Sequence, residues 1–185
     1  MAAGNALLYA DHVISEAKAI LTTSDHQPVA GGDLSLKTVS TGNWKYLPLS
    51  ENEDLQDFLP LVTFSLDPAE IDTSLSMDGV DILYPLRIVY FRGFLLTGSD
   101  GIKTVTPYTQ KIQDLEFLSR PFIRATDPGH PSERSWTNTG QLQFHSCPVV
   151  EVDFEPPEED QMRARGLLNV LAVAVSVNVR TRSIL

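Results

Sequence analysis

Arginine is missing from the first 80 residues, where only three lysines face twelve acids, a net charge of −9. Residues 81–185 carry eleven basic and twelve acidic residues, so almost the whole net charge of −10 belongs to one half of the chain. Tight binding to a nucleic-acid backbone needs clustered cations that displace counterions, and this composition argues against it. An acidic body can still work beside DNA by repelling it. Cysteine is nearly absent too. Cys147 stands alone, which excludes an intramolecular disulfide and a multi-thiolate metal site and fits a reducing compartment. It reads as a small buried hydrophobe.

Long hydrophobic runs are lacking as well. "MAAGNALLYADHVISEAKAI" has neither a basic leader nor an unbroken apolar core, so it is expected to be neither a signal peptide nor a membrane span. "LLNVLAVAVSVNV" is too short and too alternating to cross a bilayer as a helix. The histidines, His12, His26, His130 and His145, have no HxxxH or HExxH spacing, and no P-loop, GxGxxG or GxSxG occurs. The acid clusters "ENED" and "PPEED" lie in hydrophilic, proline-flanked stretches that read as solvated loops. No catalytic, cofactor-binding or metal-ligating residue is therefore nominated, although a magnesium site built from scattered acids stays open at this stage.

What is present is alternation and periodicity. A chain of 185 residues suits one domain that buries roughly two thirds of its unfolded surface. Leu7, Ala10, Ile14, Ala17 and Leu21 recur at helical spacing and predict a helix over Asn5–Thr22, with Glu16 and His12 on its wet side. "LSLKTVS" and "LVTFSL" read as strands, the second with Val62, Phe64 and Leu66 on one face. Ser50 and Glu53 match a capping box. "AEIDTSLSMDG" is acidic and short-chained, which predicts a mobile connection or extended arm over about 67–80.

"VDILYPLRIVYFRGF" is apolar on both faces and predicts a long central strand, with a bulge near Tyr84–Pro85 to accommodate a proline that cannot donate to a ladder. Thr106 and Pro107 predict the start of a second helix, with Tyr108, Ile112, Leu115 and Leu118 facing inward and Pro121 ending it before a short strand at "FIRA". A long polar loop over about 126–140 follows, from which removal of Ser132–Asn138 is expected to leave the fold intact. The alternation from Leu142 to Phe154 predicts one half-wet strand. The last strand sets Val173, Val175, Val177 and Val179 against Ala174, Ser176, Asn178, Arg180 and Arg182, a pattern for helices beneath and a close neighbour above. The expected fold is α/β of the α+β kind: a mixed or antiparallel sheet flanked by two main helices, in a single domain over 1–185. Arg163, Arg165, Arg180 and Arg182, which flank the last strand, and Trp136 in the long loop are the candidate interface residues.

The order of elements, with "LPLVTFSL" leading to "DILYPLRIVYF", a helix after it and "LAVAVSVNVRT" at the close, resembles the tail terminator (tail completion) proteins of long-tailed bacteriophages. The resemblance implies a non-catalytic virion protein of the tail or neck, assembled in the host cytoplasm. Its expected partners are copies of itself in a homohexameric ring, the tail tube protein, and the head connector or head-closure protein. DNA would pass through the bore without specific binding, and no membrane or cofactor is implied. Other readings remain open at this level: another neck protein such as a head-closure or adaptor protein, a small carboxylate-dependent enzyme, or a ligand-binding module.

Overall fold

The computed structural model describes residues 3–23, 35–38, 59–76, 79–93, 107–125, 136–139, 142–145, 147, 149–153 and 170–184. Two strands dominate it. β4 (Gly79–Gly93) and β7 (Val170–Ile184), each of fifteen residues, pair antiparallel along their full length, from Gly79↔Ile184 to Gly93↔Val170. Each lends its other edge to two shorter strands. β2 (Leu61–Leu66) covers β4 from Phe91 to Leu86, and β3 (Glu70–Ser76) covers it from Leu83 to Gly79. β6 (Val149–Asp153) and β5 (Leu142–Phe144) divide the far edge of β7 in the same way. β1 (Ser35–Thr38) adds to β2 in parallel, which makes the seven-stranded sheet mixed.

Period-two alternation fixes which side of the sheet the helices cover. Val62, Phe64 and Leu66 of β2, Ile82, Tyr84, Leu86, Ile88 and Tyr90 of β4, and Val173, Val175, Val177 and Val179 of β7 all point to one face. Both helices pack there: α1 (Ala3–Thr23) through Val13, Ala17, Ile20 and Leu21, and α2 (Pro107–Ala125) through Leu115, Phe117, Leu118, Phe122 and Ala125. Burying each of the larger side chains contributes about 1.5–3 kcal/mol, so this single cluster is the main stabilising feature of an α+β fold.

Several expectations change. The segment read as an arm is β3, a strand in a hairpin with β4, because Glu70, Ile71 and Asp72 find ladder partners in Leu83, Ile82 and Asp81. Pro85 needs no bulge, and the β4–β7 register runs through it unbroken. Its carbonyl accepts from the Asp67 amide at 2.9 Å, so its missing N–H would have faced the same edge, where β2 has ended and β3 has not begun. The predicted strand Leu142–Phe154 is two strands, with Cys147 buried between them.

α2 runs on through Pro121, and "FIRA" is its last turn, not a strand. The proline costs the helix a hydrogen bond, but Phe122 and Ala125 beyond it are 0% and 6% exposed, and their burial holds the final turn in place. Ile112, expected inside, is exposed. In α1, Glu16 is 6% exposed and accepts a hydrogen bond from the Thr137 amide at 3.0 Å, which tilts the buried stripe toward Val13 and Ile20. Trp136 next to Thr137 lies in the core, so deleting Ser132–Asn138 would remove a core indole and not merely trim a loop. The capping box at Ser50 and Glu53, Thr106, most of the 126–140 loop, Arg163 and Arg165 lie outside the described residues.

Candidate functional site

The face of the sheet turned away from the helices has two halves. Toward one end, Leu61 and Thr63 of β2, Val89 and Phe91 of β4, and Ala174 of β7 are all at most 2% exposed, yet none belongs to the cluster built with the helices. Toward the other end the same face turns polar and wet. Its rows across β4 and β7 read Arg87–Ser176, Pro85–Asn178, Leu83–Arg180 and Asp81–Arg182. Arg180 is exposed and the others are half-buried. β5 extends the last row with Gln143 opposite Arg182, and the His145 amide donates to the Arg180 carbonyl at 2.9 Å.

Within this half the side chains hold one another. Arg182 grips Asp81 with both arms of its guanidinium, Nε to Oδ1 at 2.7 Å and Nη2 to Oδ2 at 2.9 Å, the two-point geometry in which arginine binds carboxylates best. His145 Nε2 lies 4.0 Å from Asp81 Oδ1. Arg87 Nη1 donates to Ser176 Oγ at 3.2 Å. The Arg182 hydrogen bonds hold the Asp81 carboxyl below its usual range; partial burial opposes this, and the fields of Arg182, His145 and Arg180 add to it. Asp81 is thus a fixed anion near neutral pH and a poor proton carrier. Among the described residues, three arginines and a histidine share this half-face with the partnered Asp81 and, on its β3 side, Glu70, on a chain whose net charge is −10.

The chain's one thiol is elsewhere and shielded. Cys147 is 0% exposed, its thiol donates to the His145 carbonyl at 3.2 Å, and burial pushes its pKa to about 11, opposite to what a nucleophile needs. Among the described residues no group of three His, Cys, Asp or Glu is arranged to hold a metal ion. No described helix is long and apolar enough to cross a membrane.

The nominated interface residues separate. Arg180 and Arg182 fall side by side on the wet half-face, as alternation requires. Trp136 is 9% exposed, its ring 5.2 Å from Phe144 in a stacked arrangement and 6.2 Å from Phe122, so it is a core residue and offers no surface contact. Among the described residues its buried Nε1 has no hydrogen-bond partner, nor has Nε2 of His12, whose ring lies 5.8 Å from the same Phe144. Arg87, Asp81 and His145 were missed as members of the site. Arg87 had a signal, a lone cation in an apolar strand, but its alignment with Ser176 and Arg180 depends on the β4–β7 register. A scan against protein-family models and a search of curated proteins both return no match for this chain.

Proposed function

We propose that this protein is a structural virion component, a tail terminator of a long-tailed bacteriophage. In this reading its copies form a homohexameric ring on the last ring of the tail tube, stop tube growth, and present the surface to which the head connector or head-closure protein docks. DNA crosses the acidic bore without specific binding, and the subunits gather in the host cytoplasm before entering the virion. No catalytic step is assigned to it.

The observation that carries this reading is the wet half-face. A sheet braced by two fifteen-residue strands exposes Arg180 to solvent, with Arg182 and Arg87 half-buried on the same face and bonded to Asp81 and Ser176, on a chain that is otherwise acidic. Such a surface suits docking to an acidic protein surface, including that of an identical neighbour, better than it suits enclosing a small molecule. The element order that resembles the tail terminators is compatible with it.

The test is a polymerisation assay with purified tail-tube protein. Tubes that stop lengthening once this protein is added, with extra density at one tip in negative-stain images, are the expected outcome. Tubes that keep growing in its presence would remove the assignment.

A further inference from the structure

Charge on the wet half-face is graded across the strands. One row runs from Glu70 through Leu83 to Arg180 and ends beside His145. Glu70 is exposed on the β3 rim, and Arg180 and His145 are exposed toward the β5 rim. Two strand spacings, about 10 Å, separate acid from base. The adjacent row, which points to the helix side, runs Ile71, Ile82, Thr181 and Phe144. Ile71 at one rim is 59% exposed, and Phe144 at the other is half-buried. One rim therefore offers an acid on one face and an isoleucine on the other, and the opposite rim offers bases and a phenylalanine in the same two rows.

From this complementarity, and resting on the reading of the protein as a self-assembling subunit, we infer that the β3 rim of one copy docks on the β5 rim of the next. Glu70 then lies beside the Arg180 and His145 of its neighbour, and Ile71 beside its Phe144. The contact is head-to-tail. Two β3 rims facing each other would bring glutamates together, and two β5 rims would bring arginines together, so only the heterologous arrangement pairs opposite charges. Repeated, it generates a ring or a filament and not a closed dimer.

Side chains make this contact. The outward amides of β5 are already taken: Leu142 N donates to Thr139 Oγ1 at 3.0 Å and Phe144 N to Asn138 Oδ1 at 2.8 Å. These bonds block the β5 edge from accepting another strand, a device that keeps sheet edges from pairing indiscriminately. The two rims thus meet through charge and apolar contact, and specificity comes from the placement of Glu70 and Arg180.

A charge swap tests the inference. Glu70 and Arg180 are exposed and neither takes part in a salt bridge among the described residues, so Glu70→Arg and Arg180→Glu are expected to fold as the parent does, checked by circular dichroism and thermal melts. Self-association is read by sedimentation velocity over a concentration series. Each single reversal should weaken it by roughly tenfold or more, and the double variant, with the charges exchanged, should recover most of the loss. Added salt should weaken the parent and the double variant alike. A parent that stays monomeric throughout the series overturns the inference, as does a double variant no better than the single ones. Association indifferent to all three variants removes this surface but leaves the terminator reading standing. A successful swap alongside tubes that keep lengthening retains the surface and removes the terminator role.

Discussion

Asp81 shows what one residue contributes when its neighbours are set by strand register. Its pKa is lowered in the folded chain, chiefly by the two hydrogen bonds from Arg182. The sign follows from linkage: the stabilisation is fully present above the ordinary carboxylate range and is lost as pH falls through the lowered folded value. Asp81→Asn should therefore be less stable than the parent near neutral pH, by no more than about 1 kcal/mol because the pair is partly solvated and screened. The difference should close as pH falls below the ordinary carboxylate range and through the lowered folded value, as urea midpoints at a series of pH values would report. None of this was legible in the sequence. Asp81 and Arg182 are far apart in the chain, and nothing local says that they face each other. The parity of Arg180 and Arg182 on β7 was legible, because alternation depends only on the strand itself. Trp136 misled because a polar loop sequence gives no warning that its indole turns inward.

At the scale of elements, periodicity carried most of the information and punctuation carried less. The long strand, the valine stripe of β7 and the start of α2 at Pro107 all follow from side-chain pattern. Proline is tolerated at two places where its local rules predict a bulge or a helix end. In β4, Pro85 is tolerated because the neighbouring strand changes at that point. In α2, Pro121 is tolerated because residues beyond it are buried against the core. The second case predicts a measurable gain. A helix-interior proline is about 3 kcal/mol less favourable than alanine, and the two methylenes lost with the buried ring return about 1.6 kcal/mol of that. Pro121→Ala should therefore raise stability by about 1 kcal/mol, seen as a higher thermal or urea midpoint. A fall would mean that the ring packs better than its methylene count implies. The acidic composition of β3 disguised a strand, since charges there are tolerable on an edge that faces water.

For the molecule as a whole, the dominant contact is non-local. β4 and β7 form the spine of the sheet, yet α2, β5 and β6 intervene between them in the chain. Closing so long a loop before the ladder can form is entropically unfavourable, and folds of this kind are slow. Refolding from urea, followed by stopped-flow tryptophan fluorescence, is expected on the millisecond-to-second scale. Microsecond folding would imply that the helices alone organise the core. The sequence foresaw that both apolar ribbons belong to one sheet. It did not foresee that each shares its outer edge between two short strands, because that division depends on where four separate segments stop.

The central position of β7 also has a consequence for biosynthesis. It is the last of the described elements to be translated, and the side of β4 that it covers stays unsatisfied until then. At ordinary elongation rates that interval is several seconds, roughly the time to make the residues from β4 to β7. A nascent chain in this state offers a fifteen-residue apolar strand to any ribosome-associated chaperone or neighbouring polypeptide. Arg87, a charge within that strand, is the residue best placed to discourage mispairing while the chain waits.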